Sequence, residues 1–163
     1  MSPEVTQLVA ILDQAYNKPS WHGANLRGSL RRVTAAQAAW RPAPARHNIW
    51  EIAVHAAYWK YAAARRFTGD ARGSFPLKGS NWFRRPDGNA RPLDKAWKAD
   101  LAVLDAAHAV LREAVTRLSA RDLGRTPAGK KVSNFVLLSG IAAHDLYHAG
   151  QIQLLKRLTQ THL

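Results

Sequence analysis

Two histidines four residues apart, His144 and His148, stand in the stretch Ala143-His144-Asp145-Leu146-Tyr147-His148. On a helix this spacing puts both imidazoles on one face about one turn apart, close enough to share a metal ion. The spacing alone carries little information, because a lone pair of this kind is more often structural. His55 strengthens the metal reading: it lies in the apolar seam of a different helical segment, between Ile52 and Trp59, and can supply a third ligand from across a core. Three neutral imidazoles suit Zn, Ni, Fe or Co and leave coordination positions open for water or substrate.

The other histidines separate by context. His108 falls on the inner stripe of its segment and reads as a packed core histidine ahead of a fourth ligand. His22, between Trp21 and Gly23, either lines the mouth of a cavity or stabilises a break in the chain. His47 and His162 read as solvated. His144-Asp145-Leu146-Tyr147-His148 also matches the zinc-protease pattern His-Glu-x-x-His, with Asp145 in place of the glutamate. Aspartate is one methylene shorter and reaches a metal-bound water poorly, so the protease reading ranks below a general three-histidine site. Acid–base candidates beside such a site are Glu51, one turn before His55, together with Gln151 and Tyr147. Glu51 can equally orient His55 or pair with a surface cation.

The elements that must position these residues are helical. Val5, Leu8, Leu12 and Tyr16 mark a helix over 4–16, interrupted at Lys18-Pro19-Ser20, and a second piece continues over 24–33. Thr34 and Gln37 form a capping-box pattern before Arg41-Pro42-Ala43-Pro44, so the first helix is predicted to be broken. A long helix over 48–68, capped by Asn48, carries Ile52, His55, Trp59 and Ala62 as one stripe. Residues 69–92 hold four glycines and three prolines and predict an irregular connection. Its polar and aromatic centre, Gly79-Ser80-Asn81-Trp82-Phe83, makes Asn81 and Trp82 candidates to line a cofactor or substrate cavity. Helices follow over 93–118, up to a break at Asp122-Leu123-Gly124, and over 133–158. The last has an inner stripe of Asn134, Leu137, Ile141, His144, His148, Gln151, Leu155 and Leu158. With no strand-like alternation, the expectation is an all-α four-helix bundle with a broken first helix and a long irregular loop between helices two and three.

Composition bounds the function. A chain of 163 residues, 47% hydrophobic, makes a single domain over 1–163 with one sizeable core. The absence of cysteine removes disulfides, thiolate metal sites and a cysteine nucleophile. With no apolar run of membrane-span length and no leader-like N-terminus, the chain reads as soluble, unprocessed and cytoplasmic. A formal charge of +13 would attract nucleic acid, anionic lipid or an acidic substrate, but the basic residues are scattered as pairs such as Arg65-Arg66 and Arg84-Arg85.

Four stretches together resemble the DinB-like superfamily, whose relatives include bacterial thiol-dependent S-transferases and mycothiol-dependent maleylpyruvate isomerases. They are Trp21-His22-Gly23, Trp40-Arg41-Pro42, Ile49-Trp50-Glu51-Ile52-Ala53-Val54-His55 and Ala143-His144-Asp145-Leu146-Tyr147-His148-Ala149-Gly150-Gln151-Ile152. The resemblance covers nearly the whole chain. It implies a four-helix bundle in which one histidine of the second helix and two of the last, here His55, His144 and His148, bind Zn or Ni. It also implies a homodimer, for which no surface stripe in the sequence identifies an interface. It supplies no substrate.

Three functions follow as expectations. The first is an enzyme in which the metal lowers the pKa of a low-molecular-weight thiol for attack on an electrophile, with an acidic small molecule as partner. The second is a metal-dependent hydrolase with Glu51 as base. The third is a non-enzymatic module with a structural metal, whose positive surface binds nucleic acid; it is not favoured, because no helix-turn-helix spacing or basic helix with interleaved aromatics is present.

Overall fold

The computed structural model describes residues 1–86 and 93–160; His162 and the end of the irregular connection, 87–92, lie outside the described residues. All regular structure among the described residues is helical, and no helix among them is long and apolar enough to cross a membrane.

Side-chain caps set most of the helix starts. α1 (Pro3–Tyr16) begins where the Ser2 hydroxyl accepts the Val5 amide and Pro3 takes a first-turn position that needs no N–H. The helical run expected over 24–33 shrinks to α2 (Leu26–Ser29). Asn25 caps its start, and Arg32 adopts a left-handed φ of 61°, which a helix cannot continue through. α3 (Ala35–Ala39) carries the expected capping box of Thr34 and Gln37. α4 (Ile49–Thr68) starts at Asn48 as expected, with Glu51 closing a second box, and stops at Gly69, whose φ of 76° suits glycine. α5 (Leu93–Thr116) is followed by α6 (Ala120–Gly124), a short helix where the sequence reading has only a break; Ser119 and Asp122 make a third box that starts it. α7 (Asn134–Gln160) is the longest helix.

The four long helices close a ring of contacts: α4 packs on α5 and α7, and α1 packs on α7 and α5. Two apolar clusters fill it. One is built around Trp50, Ala53, Trp97, Leu104 and Ile152, and the other around Leu8, Leu12, Leu111 and Leu138. Between them lies a buried polar layer of Lys60, His108 and Asp145, each placed along its helix between residues of the two clusters. Lys60 donates to Asp145 Oδ2 and to His108 Nδ1 at 3.4 Å, and the His108 ring stacks on Tyr16 at 3.8 Å.

This layer rotates two helices from their expected orientation. On α4 Lys60 is wholly buried, while Trp59 is 38% exposed. On α7 the buried positions run Leu138, Ile141, Asp145, His148 and Ile152, while Leu137 and His144 are half-buried and Leu158 is exposed. The physical reason is the ion pair. Two opposite charges cannot enter an apolar core singly, so Lys60 and Asp145 enter together and set which face of each helix points inward.

Candidate metal centre

α4 and α7 bring His55, His144 and His148 to one point. The Nε2 atom of His144 lies 3.1 Å from Nε2 of His55 and 3.0 Å from Nε2 of His148. One ligand atom from each of the three residues falls within 4.8 Å of the others, a grouping that could hold a metal ion. Three nitrogens at about 2.0–2.1 Å from a tetrahedral Zn stand about 3.3 Å apart, so small side-chain shifts suffice to seat an ion.

The far side of each ring explains why the near side faces a cation. His55 Nδ1 lies 2.8 Å from the Asn81 carbonyl oxygen, which only accepts, so Nδ1 carries the proton and Nε2 is a bare lone pair. His148 Nδ1 donates to Gln151 Oε1 at 2.7 Å with the same consequence, and Gln151 uses its Nε2 to donate to the Tyr147 hydroxyl at 3.1 Å. Two lone pairs therefore point at His144 Nε2, which carries at most one hydrogen and can satisfy only one of them. A divalent cation among the three nitrogens removes that conflict.

Electrostatics keep the rings neutral, as metal ligands must be. Burial pulls the His55 pKa down to about 4 against the Asn81 contact, and pulls His144 down to about 3, helped by His148, His55 and Lys60. Burial also lowers His148.

The loop after α4 contributes through one strained residue. Asn81 has a φ of 64°, in a left-handed region that asparagine tolerates better than most side chains. That bend aims its carbonyl at His55, lets its Oδ1 accept Trp59 Nε1 at 2.9 Å, and lays the next residue, Trp82, flat on His55 with ring centroids 3.8 Å apart. The run flagged in the sequence thus meets the triad through a backbone atom and a ring face.

Other flagged residues sit elsewhere. Glu51 directs its carboxylate to Arg41 at 2.6 and 3.0 Å, to His47 at 3.1 Å and to the Asn48 amide. His22 is exposed in the turn between α1 and α2, beside a Trp21 that is fully exposed. His108 lies in the polar layer, outside the triad. Asp145, the residue that tempts a protease comparison, is buried against Lys60. Lys60 itself was missed by the sequence reading; its only signal is the surrounding Ala56-Ala57 and Ala63-Ala64, small apolar residues one turn away on either side. His47, read as solvated, stacks on Trp82 at 3.5 Å.

Comparison with known proteins adds one match: a family model described as the DinB superfamily covers residues 20–152. No curated protein and no solved structure matches the chain.

Proposed function

The chain belongs to the DinB superfamily, and from that premise we propose that it is an enzyme whose His55, His144 and His148 hold one divalent transition metal, Zn or Ni. The carrying observation is the convergence of three neutral Nε2 atoms whose tautomers leave too few protons to satisfy one another. On this reading the ring of α1, α4, α5 and α7 is the superfamily's four-helix bundle, formed by a single domain over 1–163.

The favoured chemistry is thiol transfer. A metal bound there would act as a Lewis acid that lowers the pKa of a low-molecular-weight thiol, which then attacks an electrophilic, acidic small molecule. The protein's part is positional. Asn81 and Gln151 fix the two outer imidazoles, and Trp82 shields one face of His55. The Tyr147 hydroxyl, held by Gln151 beside the His148 ring, is the proton-transferring group. A hydrolase that uses Glu51 as its base is disfavoured, because that carboxylate is engaged by Arg41, His47 and the α4 cap. A reducing, cytoplasmic location belongs to the same proposal.

A homodimer completes the reading. The outer face of α7 carries Val136, Gly140, Ala143, Tyr147, Gly150 and Leu154, all exposed and none charged, on a chain of net charge +13. A Cβ added at Gly140 or Gly150 meets no atom within 4 Å, which leaves room for a second helix to approach closely. The sequence conceals this stripe because it interleaves with the core-facing residues of the same helix.

The test is turnover of a panel of electrophiles by metal-loaded protein, with and without added thiol. Turnover that needs thiol and disappears in His144→Ala supports the proposal. Turnover that persists in thiol-free buffer moves the reading to hydrolysis.

A further inference from the structure

Beside the triad, on the other face of Trp82, lies a cavity of about 520 Å³ walled by Arg41, Pro44, His47, Trp82, Phe83 and Arg84. The Trp82 indole stacks on His55 at 3.8 Å and 7° and on His47 at 3.5 Å and 4°. Two rings so close and so nearly parallel to one indole must occupy its opposite faces. The cavity that His47 lines is therefore separated from a triad imidazole by one ring thickness.

The charged residues of the cavity wall, Arg41 and Arg84 against Glu51, leave it one positive charge in excess. Its one acidic residue, Glu51, is 4% exposed and saturated by Arg41, His47 and the amides of Asn48 and Arg85. Arg41 spends Nη1 on Glu51 Oε2 and the Arg46 carbonyl, and one Nη2 hydrogen on Glu51 Oε1. Of its five N–H groups, Nε–H and one on Nη2 remain for a ligand. His47 uses Nδ1 on Glu51 and presents Nε2 from a side chain 44% exposed. Arg84 is exposed at the rim. Glu51 thus both caps α4 and clamps Arg41 and His47 in place, so an incoming anion meets a preorganised guanidinium. Pro44 and Phe83 supply an apolar wall, which suits an organic acid better than a bare inorganic ion.

We propose that this cavity is an anion subsite, formed by Arg41, His47 and Arg84 against Trp82, that holds the carboxylate of a small organic reactant next to the three histidines. As a binding site it stands independently; its use in turnover rests on the enzyme reading above.

The experiment is calorimetric titration of metal-free protein with succinate, with neutral succinamide as control, for the wild type, Arg84→Gln, Arg84→Glu and His144→Ala. In parallel, the Trp82 indole N–H resonance, assigned with Trp82→Phe, reports where the ligand sits. Succinate is expected to bind the wild type and His144→Ala alike and to shift the Trp82 signal. Binding should weaken about tenfold in Arg84→Gln, the loss of one charge-assisted contact, and vanish in Arg84→Glu; succinamide should not bind. Arg84 is exposed, so its variants keep the fold, which circular dichroism verifies. Binding lost in His144→Ala but unchanged in both Arg84 variants would place the anion on the histidines and overturn the subsite. A wild type that takes up metal yet ignores succinate would overturn the subsite and leave the metal centre standing. Succinate binding with the expected Arg84 dependence, in a protein that takes up no metal, would support the subsite and sink the enzyme reading alone.

Discussion

The ammonium of Lys60 and the carboxylate of Asp145 face each other in the middle of the helices, each fully removed from water. Asp145 is the neighbour of His144 in sequence yet points into the core, so the pair locks α7 against α4 at the level where the triad closes. Because the charges are mutually dependent, removing one strands the other. Lys60→Met is expected to destabilise the protein by roughly 3–5 kcal/mol, whereas Lys60→Met combined with Asp145→Leu recovers most of that loss. Urea unfolding of the two variants measures it; a double variant as unstable as the single would show that the pair is not coupled.

The imidazole supports behave differently from the core. Gln151→Leu removes the acceptor that holds the proton on His148 Nδ1. It is expected to weaken metal affinity by about 10- to 100-fold with little change in unfolding midpoint of the metal-free protein. Competition against a chromophoric chelator reads the affinity, and an unchanged value would remove Gln151 from the account.

At position 81 the backbone carries the effect. Asn81→Gly keeps the left-handed bend and the carbonyl aimed at His55, whereas a β-branched Asn81→Val resists a φ of 64°. Metal affinity should survive the first substitution and fall in the second. Equal affinities would mean that the loop does not position His55.

Acid should unfold the metal-free protein from about pH 6.5 downward. Burial lowers His55 to about 4 and His144 and His108 to about 3, and lowers His148, all from 6.5. Between those values and 6.5 the unfolded chain binds more protons than the folded one, so stability falls as pH falls through that window. Asp145 opposes the trend: burial raises its carboxyl to about 6 from 3.8, and between these values the folded form takes the proton first. Four histidines outweigh one carboxyl, so a thermal midpoint that stays level between pH 7 and pH 5 would contradict the assignment of buried neutral imidazoles.

The His144–His148 pair and the caps at Thr34 and Asn48 were legible in the sequence because they depend on short-range spacing, whereas His55, 89 positions from His144, was joined to the pair only by its place in an apolar seam and by the family resemblance. Two histidines four apart on a helix share a face whatever surrounds them, and Thr34-x-x-Gln37 caps wherever a helix can start. What escaped depends on partners distant in sequence. Lys60 is marked in the sequence only by its alanine neighbours, and its burial follows once Asp145, 85 positions away, is placed beside it. Glu51 reads equally as a general base, as an orienting carboxylate or as the partner of a surface cation until Arg41 and His47 are seen to engage it. The inner stripes of α4 and α7 were displaced for the same reason, since hydrophobic periodicity gives no weight to a charged residue that enters the core in a pair.

The exposed stripe of α7 yields a separate expectation. Leu154→Glu introduces charge where two copies would meet, and sedimentation should show a dimer in the wild type and a monomer in the variant. A wild type that sediments as a monomer removes the dimer and leaves the metal site untouched.

The most direct test of the central claim is metal content by elemental analysis of untagged protein, wild type against His144→Ala. The account predicts close to one equivalent of Zn, Ni or another transition metal per chain in the wild type, and its loss in a variant that still folds. A wild type that takes up no metal even after reconstitution would contradict it, and would leave the three histidines as polar groups of the helix interface.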